Sequence, residues 1–388
     1  MLYFLIKLMA ITAIRTFFNK ISAENVDYIA KDTPIIFTAN HPNTMMDPMI
    51  IGYTCKRKLH FFAKSTLFNN LIAGWFLRRI QIVPVYRKVD DPSKMDQNKE
   101  TFSKGYEILK QNKAFLIFPE GISTGDRKLS QIKTGAARIG FGAEAENDWQ
   151  LGVQIIPVGL NYANAIKFRS DVSTRFGQPI QLTDFRDVYE QNEKEAVHLV
   201  TEQIETALSK LTINLKDLEM QEIVEALERI YKQELAVDLG LETENKADDF
   251  SVTKGLINAV EWYYENEPSK VNEFKGMLNL YQRLLNRLQI KDEFLDPASS
   301  RVTFWERIKA ILYIIIMFPI YLYGLINNVI PYKFPRWYAR HFVQHKAEVA
   351  PWKMLSGTII FLIYYFIEII ILHLSLVVSF GPSFMHYH

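Results

Sequence analysis

Between about residue 30 and residue 185 the chain alternates short apolar runs with helical or glycine-rich stretches. This alternation constrains the fold more than any other feature. The runs are Pro34-Ile35-Ile36-Phe37-Thr38-Ala39, Leu59-His60-Phe61-Phe62-Ala63, Ile82-Val83-Pro84-Val85-Tyr86, Ala114-Phe115-Leu116-Ile117-Phe118 and Val153 to Leu160. Each is long enough for a strand and too short for a buried helix. Strands separated by helical stretches pair mostly in parallel, because each crossover must return the chain to the same sheet edge. Arg175-Phe176-Gly177 closes the sheet. The expected fold class is α/β: a mixed, mostly parallel sheet flanked by helices, with an inserted helical module and C-terminal transmembrane helices.

The rest of the 388 residues divides by composition. Met1 to Phe18 is apolar apart from Lys7 and Arg15, which lie close to one helical face. Residues 1–28 are expected to be an interfacial membrane helix, and residues 29–190 an α/β domain. Residues 191–300 are rich in Glu, Lys and Gln, with apolar residues at helical spacing (Val197, Ile204, Leu208, then Ile223, Leu227, Ile230), and read as a helical packing module. Residues 301–388 read as a C-terminal membrane region with two apolar spans, Ala310–Ile330 and Met354–Phe380. Trp305, Tyr332, Trp337, Tyr338 and Trp352 flank them like an interfacial belt. Glu368 and His373 lie within the second span. The segment between the spans carries Lys333, Arg336, Arg340, Lys346 and Lys353, so a full hairpin would place it on the cytoplasmic side. The net charge of +2 carries no global polyanion signature, and nucleic acid is not an expected partner. The single cysteine, Cys55, excludes an internal disulfide framework and reads as a small buried apolar residue. No Cys/His cluster has zinc-ligand spacing, so no metal is expected.

Chemistry concentrates where the strand-like runs end. The first run is followed by Asn40-His41-Pro42-Asn43-Thr44-Met45-Met46-Asp47-Pro48. His41 then stands at a strand's carboxyl end, where open α/β sheets bind ligands, and Asp47 lies one turn into the next helix. A carboxylate that holds an imidazole in one tautomer makes a general base near neutral pH. The stretch holds no Ser or Cys to act as nucleophile, so an attacking hydroxyl would belong to the substrate. A second run is followed by Pro119-Glu120-Gly121-Ile122-Ser123-Thr124, where glycine lets backbone amides approach a ligand and the hydroxyls can donate hydrogen bonds. Another ends in Arg87, suited to bidentate phosphate recognition.

The ordered set of motifs resembles the PlsC-type glycerolipid acyltransferases, which act on glycerol-3-phosphate, dihydroxyacetone-phosphate or lysophosphatidate. Within that family it is most similar to the fungal dual-specificity glycerol-phosphate branch. The family carries Asn-His-x4-Asp, a segment ending in a phosphate-binding arginine, Phe-Pro-Glu-Gly-Thr-Arg, and a Val-Pro-Val-like strand. The resemblance covers about Thr33 to Leu182. It implies that His41 takes the proton from the acceptor hydroxyl and that Asp47 orients it. It further implies that Arg87 grips the acceptor phosphate, while Glu120, Gly121, Ser123 and Thr124 shape the acceptor site. Lys64 stands where the family often has a basic residue after its second strand. Two departures are visible. Five residues, not four, separate His41 from Asp47. Ile122-Ser123 replaces Thr-Arg, leaving Arg127, Lys128, Lys133 or Arg138 to supply the missing cation.

The implied activity is a membrane-bound transfer of a fatty acyl group from acyl-CoA or acyl carrier protein to a hydroxyl of glycerol-3-phosphate or lysophosphatidate. No cofactor is expected beyond that acyl donor. The implied partners are the lipid bilayer and a phosphorylated glycerol acceptor, in a bacterial inner membrane or an endomembrane. Two alternatives stand beside this reading: a phospholipid–lysophospholipid transacylase using the same base, and a membrane scaffold whose helical module recruits a partner.

Overall fold

A computed structural model describes residues 2–80, 82–86, 96, 98–123, 125, 127–215, 218–241, 246–288 and 304–380. In chain order, α1 (Leu2–Phe17) precedes β1 (Ile21–Glu24), β2 (Ile35–Ala39), α2 (Met46–Thr54), β3 (Leu59–Lys64), α3 (Leu71–Arg79) and β4 (Ile82–Val85). Then come α4 (Asn98–Lys110), β5 (Ala114–Ile117), α5 (Gly135–Ala145), β6 (Gln154–Tyr162), β7 (Val172–Phe176), β8 (Ile180–Gln181), α6 (Arg186–Gln191) and α7 (Glu193–Leu211). The chain ends with α8 (Leu218–Asp238), α9 (Lys246–Asn266), α10 (Pro268–Leu288), α11 (Phe304–Phe342) and α12 (Val349–Phe380).

The strands form one mixed sheet of order β1-β7-β6-β2-β5-β3-β4, with β8 beside β6. Among the described residues, only the β6–β7 and β6–β8 pairs are antiparallel. Strand β2 sits between β5 and β6, in register Ile35 to Ala114 and Ile35 to Gln154. All five of its residues are buried, as expected for a strand covered on both faces. Ile36, Phe115 and Ile155 point into a core closed by Ile108 and Leu109 of α4, Ile139 of α5 and Val200, Ile204 and Leu208 of α7. Phe37 instead meets Phe176 of β7 at a ring separation of 6.1 Å. Each such aromatic contributes about 1.5–3 kcal/mol by leaving water.

The expected mixed, mostly parallel sheet is present. Its edges differ from the sequence reading in two places. The N-terminal helix stops at Phe17, and residues 21–24, read as part of an interfacial helix reaching residue 28, pair in parallel with β7 from Ile21–Val172 to Glu24–Arg175. The end of α1 is buried through Ile14 and Phe17. Helix α7, read as the start of the helical module at 191, instead packs on the sheet core through Ala196, Val200, Ile204 and Leu208.

The chain divides into two compact units: Met1–Gln221, Glu242–Phe250 and Gln344–Pro351 form the first, and Glu222–Leu241, Ser251–Val343 and Trp352–His388 the second. In the second unit α8 and α9 share a hydrogen bond from Thr253 Oγ1 to Glu228 Oε1 at 2.8 Å. Arg307–Phe342 and Lys346–Leu376 are long and apolar enough to cross a membrane, and the most apolar stretch of each buries nothing inside the protein. Their 36 and 31 residues compare with the roughly 20 needed to span the hydrocarbon layer.

Candidate active site

Parallel pairing brings the carboxyl ends of β2, β3, β4 and β5 to one edge of the sheet. Beyond β2, Asn40 stands in for a lost ladder rung. Its Nδ2 donates to Leu160 O at 3.0 Å, and Leu160 N donates to its Oδ1 at 2.7 Å. That clamp fixes the exit of the chain from the strand and so fixes His41.

His41 Nδ1 lies 2.8 Å from Asp47 Oδ2. The Asp47 side chain is fully buried, whereas His41 keeps 19% of its side-chain surface open. The same Oδ2 accepts a bond from Asn43 N at 2.7 Å, and Oδ1 accepts one from Tyr162 OH at 2.5 Å. Three donors thus converge on one buried carboxylate, the compensation that burial demands. With Nδ1–H donating to Asp47, the Nε2 lone pair of His41 remains to take a proton. The imidazole stacks on Phe118 with ring centroids 3.9 Å apart and planes 12° from parallel, so its plane is set by both neighbours. Burial beside Asp47 pushes the Tyr162 hydroxyl well above its ordinary pKa, which keeps it a donor to the carboxylate.

Glu120 ties the two loops together. Its Oε1 accepts from His41 N and its Oε2 from Ser130 N, both at 2.8 Å. Burial raises its pKa, and the two backbone bonds oppose that rise. Both carboxylate oxygens are therefore engaged by main chain, and the side chain acts as a brace for the His41 loop. Gly121 has φ +70°, and a Cβ there would stand 2.5 Å from Lys133 Nζ. Of the four cations left to replace the missing arginine, Lys133 reaches this turn. Arg127 donates instead to the carbonyls of Tyr162 and Ala163 at 3.2 and 2.9 Å. Arg138 lies over the Phe102 ring at 5.2 Å, and Lys128 is exposed.

Ser123 Oγ accepts from Thr44 N at 3.1 Å. Thr44 Oγ1 in turn donates to Ala347 O at 3.0 Å, in the turn between α11 and α12. Thr44 has φ 28°, a costly backbone for a β-branched residue, of order 1–3 kcal/mol. Its two hydrogen bonds hold that conformation. The turn is seated closely: a Cβ on Gly125, at φ +81°, would come within 2.9 Å of Ala347 N.

The structure therefore brings His41, Asp47, Glu120, Gly121 and Ser123 to one edge. Lys64 is exposed at the end of β3, two strand spacings from β2 and so about 10 Å away across the sheet. Arg87 and Thr124 lie outside the described residues. Sequence reasoning missed Tyr162, Phe118, Asn40 and Ala347 as parts of this arrangement. Phe118 and Asn40 had a signal, each being adjacent to a recognised motif. Tyr162 and Ala347 had none, since they are 115 and 303 residues from the side chains they bond. Among the described residues, no group of three or more His, Cys, Asp or Glu could hold a metal ion.

Residues 20–161 match the family model described as Acyltransferase. The glycerol-3-phosphate O-acyltransferase 1 of Saccharomyces cerevisiae is 24% identical over 283 residues, which is 68% of this chain and 36% of that protein. The glycerol-3-phosphate O-acyltransferase 2 of the same yeast is 32% identical over 136 residues, 35% of this chain and 18% of that protein. The 1-acyl-sn-glycerol-3-phosphate acyltransferase of Streptococcus pneumoniae is 28% identical over 192 residues, 48% of this chain and 64% of that protein. The crystal structure of the 1-acyl-sn-glycerophosphate acyltransferase PlsC from Thermotoga maritima aligns with a TM-score of 0.37 and 21% identity, covering 53% of this chain and 78% of that one. The chain spans about a third of the first of these relatives and less than a fifth of the second. The matched stretch, residues 20–161, holds His41, Asp47 and Glu120.

Proposed function

We propose that this chain is a membrane-bound O-acyltransferase. It moves a fatty acyl group from an acyl thioester, on coenzyme A or acyl carrier protein, to a hydroxyl of glycerol-3-phosphate or lysophosphatidate, on the cytoplasmic side of the membrane. The observation that carries this reading is the His41–Asp47 pair at 2.8 Å at a strand's carboxyl end, with Asp47 buried and 19% of the His41 side chain open to solvent.

That geometry supports the following reaction. His41 Nε2 removes the proton of the acceptor hydroxyl as its oxygen attacks the thioester carbonyl. Asp47 stabilises the imidazolium that results. The tetrahedral oxyanion then collapses, the C–S bond breaks, and the departing thiolate takes the proton back from His41. Backbone amides at the loop edge would stabilise the oxyanion. An acyl-enzyme is not required, because the acceptor is itself the nucleophile. Arg87 is assigned to the acceptor phosphate on its residue type and motif position. The donor chain and the product are lipids, which accords with two helices able to cross a bilayer.

The test is a donor and acceptor panel on the purified, reconstituted protein, read by product chromatography. A lysophosphatidate or phosphatidate product from an acyl thioester supports the reading; no product from any thioester ends it. Arg87→Ala is expected to raise KM for the phosphorylated acceptor about tenfold or more, the loss of one charge-assisted contact. An unchanged KM would remove the phosphate assignment.

A further inference from the structure

The two departures from the motif pattern that this chain resembles meet at one residue. Five residues separate His41 from Asp47 where the pattern has four, and Ser123 stands where it has arginine. The chain takes up the longer spacing in a four-residue turn, Asn43 to Met46, closed by Met46 N donating to Asn43 O at 2.8 Å. Thr44 is the second residue of that turn. At φ 28° it is the one residue between His41 and Asp47 with a positive φ, a conformation that a β-branched side chain does not favour.

Both ends of the turn lead to the base. Asn43 N donates to Asp47 Oδ2, the same oxygen that lies 2.8 Å from His41 Nδ1. Met46 opens α2, which carries Asp47 as its second residue. A change of backbone at Thr44 therefore shifts the Asn43 amide and the Asp47 carboxylate against each other.

The bonds that hold Thr44 come from distant segments. Its amide precedes α2 and stands outside that helix's ladder. It donates instead to Ser123 Oγ at 3.1 Å, across 79 positions of sequence. Its hydroxyl donates to the carbonyl of buried Ala347 at 3.0 Å. An arginine side chain at position 123 could not make the first bond, because a guanidinium has five donors and no acceptor. The longer loop turns an amide outward that needs an acceptor, and the serine oxygen provides one.

We propose that Ser123 is a positioning residue for the His41–Asp47 pair and not a ligand of the acceptor. Together with Ala347 O it keeps Thr44 left-handed, and through the Asn43–Met46 turn it sets Asp47 against the imidazole. The inference rests on the acyltransferase reading only for the meaning of turnover.

The first test needs no turnover. Hydrogen–deuterium exchange of the reconstituted protein, read by mass spectrometry on peptides spanning residues 40–47, reports on the Thr44 amide. Ser123→Ala is expected to speed exchange there about three- to tenfold, the worth of one hydrogen bond, and Ser123→Thr to exchange like wild type. Unchanged exchange in Ser123→Ala overturns the proposal. The second test is steady-state acyl transfer by the same variants, with thermal melts beside it. Ser123→Ala is expected to lower kcat severalfold and to leave KM for the phosphorylated acceptor unchanged, while Ser123→Thr recovers most of the loss. A raised acceptor KM at unchanged kcat would make Ser123 a ligand of the acceptor. A lowered melting point with both constants unchanged would make the bond a purely structural one. Either result contradicts the proposal. Ser123→Arg separates the two roles most sharply: it restores the cation of the resembled pattern but supplies no acceptor, and it is expected to lose kcat as Ser123→Ala does. Wild-type kcat or a lowered acceptor KM in that variant also overturns the proposal. Faster exchange in Ser123→Ala, with no acyl transfer by the wild type to any acceptor, would support the positioning and end the acyltransferase reading instead.

Discussion

Asp47 is the residue on which the local geometry turns, because its two oxygens receive His41, Asn43 and Tyr162. Asp47→Asn replaces one acceptor by an NH2 donor and disturbs the His41 tautomer. The expected result is a fall in kcat of about 10²–10⁴ with the fold retained, since proton transfer by a positioned base contributes that much. Tyr162→Phe leaves Asp47 Oδ1 buried without its donor, at a cost of about 1–3 kcal/mol in stability; a lowered thermal midpoint with reduced kcat is the expected readout. Glu120→Gln sets an NH2 against one of two backbone amides and costs a similar amount. Its pH dependence has a definite sign. The folded-state pKa of Glu120 is raised by burial, so its contribution to stability is greatest at low pH. That contribution is lost as pH rises from the ordinary carboxylate value through the raised one. The stability difference between wild type and Glu120→Gln should therefore shrink from about pH 4 upward, as measured by thermal melts in detergent. His41 and Asp47 were legible in the sequence because six residues bring a side chain back by about a turn and a half of loop and helix. Tyr162 was not, because only the placement of β6 beside β2 makes it a neighbour.

Among the elements, the loop His41–Asp47 and the turn Lys346–Glu348 depend on each other. Thr44→Val removes the hydroxyl that donates to Ala347 O while preserving shape. It should lower kcat severalfold with little change in KM, and Thr44→Ser should restore most of the loss. A parallel rise in KM would indicate that the loop contacts substrate directly. This contact joins residues 303 positions apart, so no spacing rule in the sequence points to it. The strands were legible because five apolar runs of five to eight residues end in polar turns. Strand β1 was not: Ile21-Ser22-Ala23-Glu24 is short and half polar, and only its pairing with β7 makes it a strand. Helix α7 was assigned to a solvated module because Glu193, Lys194, Glu195, Glu202, Glu205 and Lys210 dominate its composition. Its stripe of Ala196, Val200, Ile204 and Leu208 nevertheless closes the sheet core.

For the whole molecule, fold class followed from periodicity alone, because parallel strands need crossovers and crossovers impose spacing. Unit boundaries did not follow, because a surface helix of an α/β core and a helix of a separate bundle carry similar patterns. The apolar C-terminal helices were legible from length and composition. The bond from the His41 loop to the turn between them, Thr44 to Ala347, required coordinates.

The central claim is that His41, held by Asp47, deprotonates the acceptor. The most direct measurement is acyl transfer from labelled acyl-CoA or acyl carrier protein to glycerol-phosphate acceptors by the reconstituted protein and by His41→Ala, with matched thermal melts. The account predicts unchanged melting and a loss of kcat of about 10²–10⁴. Wild-type turnover by the variant would contradict it.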